Sequence, residues 1–460
     1  MFIGRKEELG KLEKLWRTEK FQHPVIYGRR RVGKTALIRE FIKGKESIFF
    51  TGIESSEQQN LENLSRAILA TPQQGVTPVF QTFQEAFEYV FRLALEKRLV
   101  FVIDEYPYLA KAYPAISSIL QKLIDEYKDN SKLFLILCGS SMSFMEEQVL
   151  GYQSPLYGRR TAQMKILPFD FFEAREYFQK FSPLDMAAVY GIVGGTPQYL
   201  LQMNDSLSLE DNLKENLLEP SSYLFEEPSN LLKQEIREAS TYNAIISAIA
   251  SGASRLSEIA SKTRLETSAC SSHLNKLIAL GLIRKEEPFG EKTTRKTIYA
   301  VEDPLFRFWY RFIPSHISLL QNGMTDLVCT RIMEHFSQYM GPVFEEICKQ
   351  WLWRQNRQGL LPFTFLSLGR WWGSDPRKKS EAEIDIVASD GENSLLFCEC
   401  KWTNEPVDAP VLETILERSQ LLPAVNRHYF LFSKSGFSER CRKLVENIGN
   451  AQLVIFREMI

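Results

Sequence analysis

The chain has 460 residues, 44% of them apolar and 25% charged, with 56 Lys and Arg against 57 Asp and Glu. At about 150 residues per domain this is roughly three domains of ordinary globular composition, which excludes wholesale disorder, a collagen-like repeat and a disulfide mini-scaffold. A net charge of −1 provides no global steering toward nucleic acid, so any basic surface must be local.

Residues 1 to about 180 alternate strand-like and helix-like segments. His23–Tyr27, Ser47–Phe50, Leu99–Ile103, Leu133–Leu137 and Met164–Leu167 are short apolar strands, and Lys34–Phe41 and Ala115–Tyr127 carry helical periodicity. Nearly all-apolar strands between helices argue for a parallel sheet covered on both faces. From Phe169 to about Arg237 the pattern is helical, with breaks at Gly194-Gly-Thr-Pro197, Glu219-Pro220 and Glu227-Pro228. Residues 240–300 predict three helices and a hairpin. An aromatic stretch from Leu305 to about Ile317 leads to a long helix, about Ile332–Trp353, and then to strands. There is no internal repeat.

Gly28-Arg-Arg-Arg-Val-Gly33-Lys34-Thr35 matches G-x4-G-K-[ST] between a strand and a helix, the context in which that loop binds phosphate. Backbone N–H groups from Gly28 and from Arg31, Val32, Gly33, Lys34, Thr35 and Ala36, with the helix N-terminus, are expected to cradle a nucleotide. Lys34 reaches the β- and γ-phosphates and Thr35 ligates Mg²⁺. Leu99–Ile103 ends in Asp104-Glu105, at the strand end where an open α/β sheet places ligands. Asp104 is expected to hold Mg²⁺ through water, and Glu105 to orient and deprotonate the attacking water. Ser140 or Ser141, after the Leu133 strand, is placed to sense the γ-phosphate; a plain turn is the alternative. One Arg of Gly158-Arg159-Arg160 is placed to reach the γ-phosphate, in cis or from a neighbouring copy; a solvated basic pair is the alternative.

These segments, with Phe2-Ile-Gly4-Arg5-Lys-Glu7-Glu8-Leu9 before them and Gly194-Gly-Thr-Pro197 after, resemble the archaeal-type ATPases of the AAA+/STAND group over roughly residues 1–235. The resemblance implies a P-loop NTPase with a parallel sheet (1–168) and a helical lid (169–237), using ATP and Mg²⁺. It also implies that Gly4 and Arg5 lie near the adenine and that Pro197 caps the nucleotide. The chain lacks the second-region sensor arginine of hexameric motors, so a ring does not follow, although a homo-oligomer is compatible with the pattern.

Within 238–302, Tyr242–Ser251, Arg255–Ala260 and Glu266–Leu280 are helices. Leu282–Lys285 and Thr297–Ala300 flank a polar tip. Helix, turn, helix and wing is a nucleic-acid-binding architecture. Its third helix is expected to expose Ser268, Ser271, Ser272, Asn275 and Lys276, and nine Lys and Arg against five Asp and Glu over 240–300 favour phosphate contacts. The alternative is an internal regulatory module.

Glu381–Ala388 and Leu395–Trp402 alternate on either side of Asp390-Gly391 and predict a β-hairpin. Period two puts Glu383 and Asp385 on one face, opposite Ile384 and Ile386, and puts Glu399 and Lys401 on one face, opposite Cys398 and Cys400. Pairing can bring Asp385, Glu399 and Lys401 together. Two carboxylates and a lysine suit phosphodiester hydrolysis assisted by Mg²⁺ or Mn²⁺, with Lys401 orienting the water or stabilising developing charge. The arrangement resembles the PD-(D/E)xK nucleases, with Ile384 where Pro is usual. Gly341-Pro-Val-Phe-Glu345 resembles that fold's helix acid, Glu346 being the adjacent alternative. With Asp303–Trp309 leading in and Gly369–Trp371 as first strand, 303–460 resembles the nuclease-like α/β domain of unknown function fused to these ATPases. Metal ligands would be Glu345, Asp385 and Glu399.

Seven Cys without C-x-x-C spacing fit free thiols in a reducing compartment, and the five His are too dispersed for a zinc pattern. Met1–Lys6 enters charged sequence with no signal-type apolar stretch, and no apolar run reaches the ~20 residues that span a bilayer. A soluble cytoplasmic protein without membrane partners is expected. Two functions follow: an ATP-gated enzyme that cleaves DNA, or a nucleotide switch that binds DNA or protein and carries an inactive nuclease fold.

Overall fold

A computed structural model describes residues 2–69, 80–236, 238–291 and 296–460. The chain divides into two compact units, Met1–Pro168 with Thr196–Gln198, and Phe169–Gly195 with Tyr199–Ile460.

The first unit is built on five parallel strands: β1 (Pro24–Tyr27), β2 (Ser47–Thr51), β3 (Leu99–Asp104), β4 (Leu133–Gly139) and β5 (Ala162–Lys165), in the order β2-β3-β4-β1-β5. Strands β1, β3 and β4 are buried along their whole length. Their side chains alternate between two cores, as strand geometry requires. Val25, Phe101, Ile103 and Leu135 pack with helices Phe83–Glu96 and Ile116–Tyr127. Ile26, Val100, Val102 and Ile136 pack with helices Lys6–Trp16 and Lys34–Ile42. Removing such a side chain from water contributes about 1.5–3 kcal/mol each. Local signals start the helices that close the layers: the Thr82 hydroxyl accepts from the Glu85 N–H ahead of Phe83–Glu96.

The second unit opens with helices between Phe171 and Glu235. Ser182 caps helix Pro183–Val193, which has Pro at its first position, and Gly194 at φ 67° ends it. The break expected at Glu227-Pro228 is absent: Pro228 lies inside helix Tyr223–Glu235. Proline removes one N–H from this helix. In the same turn the Trp309 indole N–H donates to the Phe225 carbonyl at 2.6 Å. Helices Ala239–Ala250, Leu256–Thr263 and Thr267–Ala279 form a separate core with the antiparallel strands β6 (Ile283–Glu286) and β7 (Ile298–Val301). Residues 292–295 of the expected hairpin tip lie outside the described residues.

Helix Pro304–Phe312, capped by Asp303, leads to helix Thr325–Gln358, longer at both ends than the Ile332–Trp353 expected. A mixed sheet follows: β8 (Ser367–Asp375), β9 (Ser380–Ser389), β10 (Ser394–Lys401), β11 (Asn426–Ser433) and β12 (Ala451–Ile455), in the order β12-β11-β10-β9-β8. Strands β8, β9 and β10 are antiparallel, whereas β10, β11 and β12 are parallel. Helix Thr325–Gln358 covers one face, and helices Ala409–Ser419 and Glu439–Ile448 cover the other. The apolar side chains of 169–224 belong to the same core as Thr325–Gln358. Gly191 shows how close this packing is, since a Cβ there would stand 2.8 Å from the Met340 sulfur.

Strict alternation fails in β9. Ile384 packs with Val387 and Phe397 on one face of the sheet, whereas Ile386 packs with Ala388 and Cys398 on the other. The pairing with β8 slips there: Gly369 faces Val387, but Trp371 faces Ile384, so two residues of β9 stand opposite one of β8. This is a β-bulge, and Asp385 sits in it. Among the described residues, no helix is long and apolar enough to cross a membrane.

His23 is fully buried before β1, with Nδ1 3.1 Å from the Leu135 carbonyl. Burial lowers its pKa to about 4. An imidazole held neutral in this way contributes stability that is full above about pH 6.5 and is lost as pH falls toward 4, about 3 kcal/mol in all. Urea unfolding of His23→Gln should therefore show an acid limb shallower than wild type by about that amount; identical limbs would mean that His23 is not the titrating group.

Candidate functional site

The loop between β1 and helix Lys34–Ile42 is shaped by backbone that few residues tolerate. A Cβ on Gly28 would stand 2.3 Å from the Ile166 carbonyl oxygen. Arg31 and Gly33 adopt φ 72° and 88°, left-handed values that turn the chain back on itself. Lys34 Nζ lies over this curl and donates to the carbonyls of Gly28 at 2.8 Å and Arg29 at 2.9 Å. The ammonium is buried, and burial lowers its pKa. Ala36 is exposed in the first turn of the helix.

Thr35 Oγ1 donates to Asp104 Oδ2 at 2.8 Å, which joins the loop to the end of β3. Asp104 Oδ1 accepts from the Glu105 N–H at 3.0 Å. Glu105 has φ 50°, a conformation that brings its carboxylate to the end of β4, where Ser140 donates to it from Oγ at 2.8 Å and from its N–H at 3.3 Å. Ser140 thus holds Glu105. Sequence reasoning missed Cys138, a buried thiol beside Asp104 whose pKa is raised by burial and then by that carboxylate. Its position two residues before Ser140 on an all-apolar strand was the available signal.

Two further segments reach the loop. Arg5, at φ 58° and buried, donates from Nη2 to the carbonyls of Val32 at 3.0 Å and Leu167 at 2.6 Å; Gly4 precedes it at φ 67°. Arg29 Nη2 donates to Thr196 Oγ1 at 3.0 Å, and Pro197 Cγ lies 3.5 Å from where a Cβ on Gly33 would be. Arg159 is placed elsewhere: its guanidinium grips Asp125 at 2.6 and 2.9 Å, so this conformation spends it on helix Ile116–Tyr127 rather than on a phosphate.

The second unit gathers the C-terminal acids. Asp385 Oδ2 accepts from the Cys400 N–H at 2.8 Å, and Lys401 Nζ contacts Glu399 Oε1 at 2.6 Å. The Asp385 pKa is raised to about 7 by burial and by the charges of Glu399 and Glu345. Burial also raises the pKa of Glu345, which shares its surroundings with Arg370, Lys349 and Glu383. Arg370 Nε donates to Glu383 at 2.8 Å. Glu399 is 7% exposed, and its Oε2 is buried with no hydrogen-bond partner among the described residues. Orphaned carboxylate oxygen beside a second, proton-retaining carboxylate suits a hard divalent cation. Among the described residues, however, no three His, Cys, Asp or Glu side chains already stand close enough to hold one.

Helix Thr267–Ala279 exposes Ser268, Ser272, Asn275 and Lys276, as expected, whereas Ser271 is half-buried.

Residues 2–203 match the family model of an ATPase domain predominantly from Archaea, and residues 309–414 match a family of archaeal and bacterial proteins of unknown function. An uncharacterized protein of Methanocaldococcus jannaschii is 35% identical over 404 residues, covering 87% of this chain and 88% of that one. A second protein of that organism, described as an uncharacterized ATP-binding protein, is 52% identical over 46 residues, covering 10% of this chain and 78% of that one. The Walker-type ATPase of Pyrococcus abyssi superposes with a TM-score of 0.53 at 19% identity, covering 67% of this chain and 96% of that one, a likeness of fold.

The contact at Gly28 is testable. Gly28→Ala must displace the Ile166 backbone, whose N–H donates to the Tyr27 carbonyl at 2.7 Å. Its expected cost is about 1–3 kcal/mol of stability, read by urea unfolding; wild-type stability would show that the strand end yields freely.

Proposed function

Because the chain belongs to the archaeal-type ATPase family, we propose that its first unit binds ATP with Mg²⁺ in the loop Gly28–Ala36 and hydrolyses it. The supporting observation is the hydrogen bond from Thr35 to Asp104, which joins the phosphate loop to the acidic strand end. Lys34, now satisfied by two loop carbonyls, transfers its donors to the β- and γ-phosphates. Thr35 and Asp104 are the residues that would hold Mg²⁺, which neutralises phosphate charge. Glu105, once released by Ser140, takes the proton of the attacking water. Arg5, Gly4 and Pro197 border the same loop and form the nucleotide's remaining walls.

In the second unit the module 238–302 acts as a winged helix that contacts DNA through the Ser268, Ser272, Asn275 and Lys276 face. Asp385, Glu399 and Glu345 are the metal ligands of a phosphodiesterase site, with Lys401 beside the reacting water. The buried, unpaired Glu399 Oε2 favours this reading. ATP turnover would gate access of nucleic acid to that site. A second reading, a nucleotide switch with an inactive nuclease fold, is favoured by the lack of a ready-made group of three ligands among the described residues.

Lys34→Ala should weaken ATP binding by about tenfold or more, measured by calorimetry. Glu105→Gln should retain binding and lose turnover by about 10²-fold or more, and equal turnover would remove Glu105 from the role of base. Mn²⁺-dependent nicking of plasmid DNA should disappear in Asp385→Ala and in Lys401→Ala. Wild-type protein that hydrolyses ATP but never cleaves nucleic acid would leave the switch as the function.

A further inference from the structure

Phe289, shortly after β6, lies against the C-terminal sheet. It is seated on the open edge of β8, the outermost strand of the C-terminal sheet. The Phe289 N–H donates to the Arg370 carbonyl at 2.8 Å. Its ring lies against Gly369, where a Cβ would meet it at 3.4 Å, and joins the core of Trp371, Ala382 and Ile384. On the return side of the hairpin, the Trp372 indole N–H donates to the Lys296 carbonyl at 3.2 Å.

These anchors fall at one place. The β8–β9 pairing slips between Gly369 and Trp371, where Asp385 and Ile386 of β9 together stand opposite Arg370. A bulged ladder has lost part of its own hydrogen bonding, so its geometry depends on what packs against it. Here Phe289 supplies a backbone donor and a half-buried ring, and Lys296 accepts a second hydrogen bond from the strand opposite the bulge. Arg370, whose carbonyl is one of those anchors, extends its guanidinium to Glu383 and lies beside Glu345.

We propose that the loop after β6, through Phe289, positions the Asp385 carboxylate by clamping Gly369–Trp372, so that the module 238–302 and the C-terminal carboxylate site are mechanically one device. Phe289 and Trp372 are positioning residues that act through β8. The inference rests on the reading of Asp385, Glu399 and Glu345 as a metal site. It gives that reading a consequence: whatever docks on the three-helix module and pulls its hairpin alters metal affinity at Asp385. Preorganising a ligand through its supporting shell is worth about 10- to 100-fold in affinity.

The probe is Mn²⁺ alone, titrated into the nucleotide-free full-length chain and followed by the electron paramagnetic resonance of free Mn²⁺. Sites lost in Asp385→Ala define the C-terminal class. Phe289→Ala should raise the dissociation constant of that class by about tenfold or more, and Phe289→Leu should recover most of it. ATP binding and the metal-free melting temperature of Phe289→Leu should match wild type. Should Phe289→Ala fail to fold, Trp372→Phe, which keeps an aromatic ring but loses the indole N–H, should still weaken Mn²⁺ by about threefold. Wild-type affinity in Phe289→Ala, or in Trp372→Phe where that variant carries the test, would overturn the clamp and leave the metal site standing. Unaltered Mn²⁺ binding in Asp385→Ala would instead overturn the metal site itself, and the clamp with it.

Discussion

The first unit's loop is organised around the buried ammonium of Lys34. Taking an ammonium out of water is costly unless donors find acceptors, and Lys34 Nζ finds two in the carbonyls of Gly28 and Arg29. Those carbonyls point inward only because the loop curls through left-handed backbone at Arg31 and Gly33. Curl and charge therefore hold each other. The acids answer the same charge: Glu105 and Asp104 both favour the protonated Lys34, Asp104 tied to the loop by Thr35 and Glu105 turned by its own left-handed backbone toward Ser140. Parallel strands make this convergence possible, since all five deliver their carboxyl ends to one edge.

The C-terminal site meets the opposite electrostatic problem. Three carboxylates are drawn into partly buried positions, and burial raises the pKa of Asp385, with the charges of Glu399 and Glu345 adding to it, and that of Glu345. Arg370 is spent on Glu383 and Lys401 on Glu399, which leaves Glu399 Oε2 with no donor among the described residues. A cluster left short of positive charge is one that a cation would stabilise.

The helical stretch 169–224 shares a core with a distant part of the chain. Its pattern reads as helical, and its apolar side chains bury with helix Thr325–Gln358. The short piece Thr196–Gln198 alone groups with the phosphate loop, at the turn that Gly194 and Gly195 make possible. Gly195 has no alternative, because a Cβ there would overlap the Phe169 carbonyl.

What the sequence determined by itself was chemistry carried by near neighbours in the chain. The phosphate loop, the acid pair closing an apolar strand and the hairpin about Asp390-Gly391 depend on turn residues and period-two alternation, which are set within a few residues. What only the tertiary structure decided was where distant groups spend their interactions. Ser140 meets Glu105 across 35 positions; Arg159 goes to Asp125, 34 positions away; Pro228 stays inside its helix; and β9 slips at Asp385 against alternation. Each of those outcomes turns on strand register and on which surface arrives opposite, and no local pattern encodes either.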